Sequence, residues 1–172
     1  MTATPTGRLD RRGSDDVVVF TRTFRAPIED VWAAVTESDR LARWIGTWTG
    51  DPSQGFVTFE MNAEGEDVPP SRYDIVACEA PTHLAVNAVD DFGTWKLDLV
   101  LAESDGVTTL TFAQVVDDPT MLENTGPGWD YYLDRLVAAE TGGDPKAIDF
   151  ERDYYPAMRA YYDSLGSQAT PG

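Results

Sequence analysis

The feature that most constrains this chain is one amphipathic helix written late in the sequence. After Thr125-Gly126-Pro127-Gly128, the residues Trp129, Tyr132, Leu133, Leu136 and Val137 follow the i, i+3, i+4, i+7, i+8 spacing, so all five share one helical face. An apolar stripe headed by a Trp needs an apolar surface to lie on, and the segments before it read as strands. A helix over 126–140 packed on a curved sheet is therefore expected. A sheet closed by one such helix commonly leaves a cavity, and function is expected to reside there.

The strand candidates are 17–24, 56–62, 72–79, 83–89, 94–102 and 107–116. The first is a β-branched run. The period-two alternation is clearest where Trp95, Leu97, Leu99 and Leu101 oppose Lys96 and Asp98. Val57, Phe59 and Met61 form a second such set, and Leu110 and Phe112, with Gln114 next in phase, a third. Short turns at 80–82, 90–93 and 104–106 make successive strands antiparallel neighbours. Between the first two strands, Ala26-Pro27 opens a helix with Ile28, Val31, Trp32 and Val35 as its stripe, and Ser38 is placed as N-cap of a second short helix. A last helix is expected over 156–165, with Tyr154, Met158, Tyr161 and Leu165 on one side. Antiparallel strands with helices gathered on one face make an α+β domain. The organisation expected is a disordered tail over 1–16, one domain over 17–141, a helical extension over 142–166 and a tail over 167–172.

With 13 basic against 30 acidic residues the net charge is −17. Such a field repels phosphate backbones and anionic membrane surfaces, so nucleic acid is excluded as a partner. The acidity reads as solubility, as adaptation to a salty cytosol, or as attraction of a basic protein partner. No apolar run is long enough to cross a bilayer and the first residues lack the apolar stretch of a signal peptide, so a cytoplasmic location without membrane insertion is expected.

The chain offers little for catalysis. Its single cysteine, Cys78, and single histidine, His83, make no metal cluster, and no cofactor motif is present. His83 reads as an exposed turn residue without a motif-fixed partner, and Cys78 as an inert strand thiol. Asp90-Asp91 and Asp117-Asp118 lack the ligand spacing of a calcium loop and read as turn residues. Gly126 and Gly128 flank the expected helix start, as a turn or as a cradle for an anion.

The order and spacing of several short pieces resemble the START-like superfamily, and within it the proteins related to the C-terminal domain of the heat shock protein 90 ATPase activator. The pieces are Arg22-Thr23-Phe24-Arg25-Ala26-Pro27 leading to Val31-Trp32, then Leu41-Ala42-Arg43-Trp44, Gly50 and Gly55. Glu79-Ala80-Pro81 before Leu84, Thr108-Thr109-Leu110-Thr111-Phe112, and Gly128-Trp129 with Leu133 and Leu136 complete the set. The likeness spans about 17–140 and leaves out the Tyr-rich segment from Asp144. It implies a helix-grip fold, a six-stranded antiparallel sheet wrapped around the long helix with a cavity between them. It implies no single reaction, since the superfamily includes lipid carriers, hormone receptors, cyclases and co-chaperones.

Taken together, these features give a cofactor-free protein that binds a small hydrophobic or amphipathic molecule. The cavity lining expected is Trp44, Phe59, Met61, Arg72, Trp95, Leu97, Leu99, Phe112, Gln114, Trp129, Tyr132, Leu133 and Leu136, with Arg72, Gln114 and Tyr132 as its orienting polar groups. Plain core is the competing reading of the aromatic set. A co-chaperone-like interaction module is one functional alternative. A cyclase- or hydrolase-like enzyme using Glu60 or Asp98 as pocket acids is the other.

Overall fold

A computed structural model of the chain describes residues 3–62, 69–90 and 93–169. The expected turn at 90–93 and tail at 167–172 lie partly outside these residues. The strands are β1 (Arg8–Arg12), β2 (Asp15–Phe24), β3 (Gly46–Thr49), β4 (Phe56–Met61), β5 (Ser71–Glu79), β6 (His83–Asp90), β7 (Gly93–Ser104) and β8 (Val107–Val115). They form one antiparallel sheet in the order β1-β2-β8-β7-β6-β5-β4-β3. The helices are α1 (Ile28–Thr36), α2 (Ser38–Leu41), α3 (Leu122–Glu140), α4 (Phe150–Asp153) and α5 (Arg159–Gly166). The fold is α+β as expected, with eight strands in place of six. Two compact units can be distinguished, residues 1–22 with 113–172 and residues 23–112.

In the unit formed by 23–112, the helices are held to their neighbours by polar contacts as well as apolar ones. The first N–H of α1, at Ile28, donates to the Glu103 carboxylate at 2.7 Å, meeting one of the orphan donors of a helix start. Ser38 does not cap α2. Its hydroxyl bonds both backbone groups of Trp48, at 3.0 and 3.1 Å, and so fixes the path into β3. That strand, Gly46–Thr49, is not among the expected ones. Gly46 is a point of close approach, because a Cβ there would overlap the Glu60 carbonyl across the β3–β4 ladder.

In the unit formed by the two chain ends, β2 carries the continuous buried run Val17, Val18, Val19 and Phe20. The expected disordered tail contains β1, which pairs with β2 from Arg8 opposite Val19 to Arg12 opposite Asp15. Its sequence is polar and shows no period. Its order comes from partners distant in sequence, since Gly7 N–H donates to the Tyr162 hydroxyl at 3.0 Å and the Gly7 carbonyl accepts from Tyr161 at 2.6 Å.

The long helix α3 begins one turn before the expected residue 126. Asp118 initiates it by accepting from the Thr120 N–H at 3.0 Å and the Thr120 hydroxyl at 2.7 Å, shaping a short 3-10 turn that runs into α3. Hydrogen bonds to the carboxylate lower the Asp118 pKa. Gly126 and Gly128 therefore lie inside the helix and do not flank its start. The C-terminal extension docks on α3 through Tyr131, whose ring meets Phe150 and Tyr154 edge-on at 5.2 and 5.5 Å, and through Arg135, which donates to the Pro145 carbonyl at 2.7 Å. Because α5 starts at Arg159, its buried phase is Met158, Tyr162 and Leu165. Tyr162 is fully buried and the expected Tyr161 is 41% exposed.

A Cβ at Gly126 would run into the root of the Tyr162 ring, whereas one at Gly128 would meet open space. In a helix interior Gly→Ala normally stabilises by about 1 kcal/mol. Gly128→Ala should therefore raise the urea midpoint and Gly126→Ala should lower it. Equal shifts of the two variants would contradict the close packing of α3 against Tyr162.

Candidate functional site

Within the 23–112 unit, the strand registers assemble an apolar face. Trp95 pairs with Ala88, Ala88 with Tyr73 and Tyr73 with Val57, so one row crosses β7, β6, β5 and β4. Leu97, Val86 and Ile75 form the next row. Phe59 lies diagonally from Tyr73, their ring centroids 5.1 Å apart, and Met61 continues the β4 side. Packing along β7 is uneven. Leu101 and Leu99 are 2% and 9% exposed, yet the next in-phase residues, Leu97 and Trp95, are only half-buried, as are Phe59, Met61 and Tyr73. Close-packed cores do not usually leave several large side chains in this state side by side.

The other expected lining residues fall elsewhere. Arg72 pairs with Thr58, out of phase with Tyr73, so it takes the opposite face. There its side chain is 63% exposed, its guanidinium lies 3.9 Å over the Phe56 ring and its Nε donates to Asp74 at 2.8 Å. Trp44 is buried, its indole donating to the Ala34 carbonyl at 3.0 Å, and Phe112 is buried on β8. In the unit of the chain ends, Gln114 accepts from the Trp129 indole at 2.6 Å, the Trp129 and Tyr132 rings lie 6.4 Å apart, and Tyr132, Leu133 and Leu136 are buried.

The residues weighed for catalysis also lie away from Trp95. Glu60 is exposed and alternates with Phe59. Asp98 alternates with Leu97 and accompanies His83 on the opposite face, with His83 Nε2 2.6 Å from Asp98 Oδ1. His83 thus begins β6 with an acidic partner, where the sequence suggested a turn residue without one. Cys78 is exposed on β5. Among the described residues no group of three or more His, Cys, Asp or Glu is arranged to hold a metal ion, and no helix is long and apolar enough to cross a membrane.

The densest polar constellation was not foreseen from the sequence. Asp130 on α3 is fully buried, and its carboxylate accepts from Arg22 Nη2 at 2.9 Å, from the Thr6 N–H at 3.1 Å, and from the Thr6 and Tyr162 hydroxyls. Asp134, one turn on, accepts from Arg22 Nε at 3.1 Å and from the Tyr154 hydroxyl at 2.7 Å. The sequence signal was the i, i+4 pair Asp130 and Asp134 beside an apolar stripe, which by itself reads as a solvated helix edge. Four donors saturate the Asp130 carboxylate, so the cluster fastens the chain ends and leaves no acceptor turned toward a substrate. Burial, then the charge of Asp130 and the bond to it, push the Tyr162 hydroxyl far above the ordinary tyrosine range. Burial, then the bond to Asp134 and its charge, do the same for Tyr154.

Comparison with known proteins adds the following. The family described as activator of Hsp90 ATPase homolog 1-like protein matches residues 25–140. Among solved structures, the solution structure of CalU16 from Micromonospora echinospora is similar over 97% of this chain and 96% of its own, at 21% identity and a TM-score of 0.74. Its crystal structure aligns over 96% and 95%, at 24% identity and a TM-score of 0.68. EF2215 from Enterococcus faecalis, a conserved protein of unknown function, aligns over 96% and 92%, at 21% identity and a TM-score of 0.70. At these identities the likeness bears on the fold alone, which is of the helix-grip class. Among curated proteins none matches the sequence closely.

The two tyrosines give the cluster a pH signature. Each folded hydroxyl keeps its proton where the unfolded one loses it, so its contribution is complete below about pH 10 and is lost as pH rises beyond that. Each contributes a slope of up to about 1.4 kcal/mol per pH unit. Tyr162→Phe should make the alkaline fall of urea-measured stability shallower. An unchanged slope would contradict the buried Tyr162–Asp130 bond.

Proposed function

Because the chain belongs to the activator of Hsp90 ATPase homolog 1-like family, we propose that it binds a small hydrophobic or amphipathic molecule against the Trp95 face of its 23–112 unit. The observation that carries this reading is the loosening of packing along β7, from buried Leu101 and Leu99 to half-buried Leu97 and Trp95, with half-buried Phe59, Met61 and Tyr73 on the same face. Large apolar side chains that stop short of full burial retain contact area for a guest. A face of this kind with few polar groups is the usual chemistry of a small-molecule site. Arg72 drops out of the lining first expected, because its side chain is on the other face and engaged by Phe56 and Asp74. Glu60 and Asp98, the pocket acids of the enzymatic alternative, alternate with Phe59 and Leu97 and so also lie off this face.

Titration with uncharged aromatic and alicyclic compounds should change the tryptophan emission saturably. By calorimetry, Trp95→Ala should weaken the binding about 10-fold or more through lost apolar contact. His83→Ala and Cys78→Ala should leave it intact, since His83 is on the opposite face and Cys78 is an exposed residue near the end of β5. A flat response across a chemically broad panel would overturn the reading in favour of a protein-binding module. Turnover abolished by His83→Ala would overturn it in favour of an enzyme.

A further inference from the structure

The indole nitrogens of this chain are treated unequally. Trp44 Nε1 donates to the Ala34 carbonyl at 3.0 Å, Trp48 Nε1 to the Thr36 carbonyl at 2.7 Å and Trp129 Nε1 to Gln114 Oε1 at 2.6 Å. Trp95 Nε1 is withdrawn from solvent and has no hydrogen-bond partner among the described residues. A buried donor without an acceptor is costly, and folded proteins rarely keep one without a use for it. The three bonded indoles, that of buried Trp44 and those of half-buried Trp48 and Trp129, each meet an acceptor within the chain.

We infer that Trp95 Nε1 is the polar anchor of the ligand site, and that the ligand is an apolar ring compound carrying one uncharged oxygen acceptor of the carbonyl type. The inference rests on the ligand-binding reading above and adds to it the chemistry of what is bound. The neighbours of Trp95 across the sheet are Ala88, then Tyr73 and Val57, and along its own strand Leu97, so this stretch of the sheet face is apolar. Lys96 alternates to the other face, as Arg72 does on β5, so neither cation stands beside the indole to balance an anionic group. In a protein of net charge −17 a carboxylate or phosphate would be further disfavoured. A neutral ketone, ester or quinone oxygen meets the donor without bringing a charge out of water.

Two probes of nearly equal shape separate this inference from the reading beneath it, 2-acetylnaphthalene and 2-ethylnaphthalene. In the full chain labelled with 15N, the Trp95 indole signal is identified by its loss in Trp95→Phe, which keeps an aromatic ring and removes the donor. Saturating 2-acetylnaphthalene should move that proton signal downfield while 2-ethylnaphthalene should not. Calorimetry should find the ketone bound about 10-fold more tightly by the wild type and about equally to the hydrocarbon by Trp95→Phe. Binding of both probes with equal affinity and no downfield shift would overturn the inference while leaving the ligand-binding reading in place. Failure of both probes to bind would overturn the two together. Because the wild-type shift, assigned by triple-resonance spectra, is decisive alone, a poorly folded Trp95→Phe variant does not blunt the test.

Discussion

The carboxylate of Asp130 is the constraint on which the order of the chain ends depends. A fully buried carboxylate is tolerated only when its lone pairs are taken up by donors and its charge is met. Arg22 supplies the charge, and Thr6 and Tyr162 supply the remaining donors. These residues come from the segment before β1, from β2, from α3 and from α5. One acid therefore ties together pieces more than a hundred residues apart in sequence, and it orders an N-terminal segment whose own composition would leave it loose. Arg22 also reaches Asp134, which holds the Tyr154 hydroxyl, so the C-terminal extension joins the same network at a second point.

That cluster and the Trp95 face are opposite solutions to the burial of polar atoms. Around Asp130 every acceptor site is used, and the result is fastening. At Trp95 a donor is buried with nothing among the described residues to receive it, on a face whose large side chains are only half-buried. The number of titratable groups would favour the first as a functional site. Unmet hydrogen-bonding capacity favours the second, because a ligand gains by completing an unsatisfied site and gains nothing from a saturated one.

Much of the fold was legible because its apolar periods are strong. The alternation of Trp95, Leu97, Leu99 and Leu101 gave both the existence and the inward phase of β7, and the 129–137 spacing gave the long helix. Misses occurred where contacts outside a segment, rather than its own apolar pattern, decide the local structure. β1 is polar and is made a strand by pairing with β2, while β3 depends on Ser38 and on the contact that Gly46 alone permits. The start of α3 was masked by Pro127, which reads as a first-turn residue yet lies within the helix. Of the expected site residues, Phe59, Met61, Trp95, Leu97 and Leu99 share a face because period two is reliable along a strand. Arg72 was lost through its phase, being one residue out of step with Tyr73. The missing acceptor at Trp95 could not be read from sequence at all, since it depends on what surrounds one nitrogen atom.

The central claim is that a ligand meets the Trp95 side of this sheet. Isotope-filtered NOE spectra of the labelled protein with unlabelled 2-acetylnaphthalene test it most directly, because the two sides of the sheet carry distinct reporters. The account predicts cross-peaks from the probe to Trp95, Leu97, Phe59 and Met61. Cross-peaks confined to Val76, Val89 and Val100, the exposed valines of β5, β6 and β7, would contradict it.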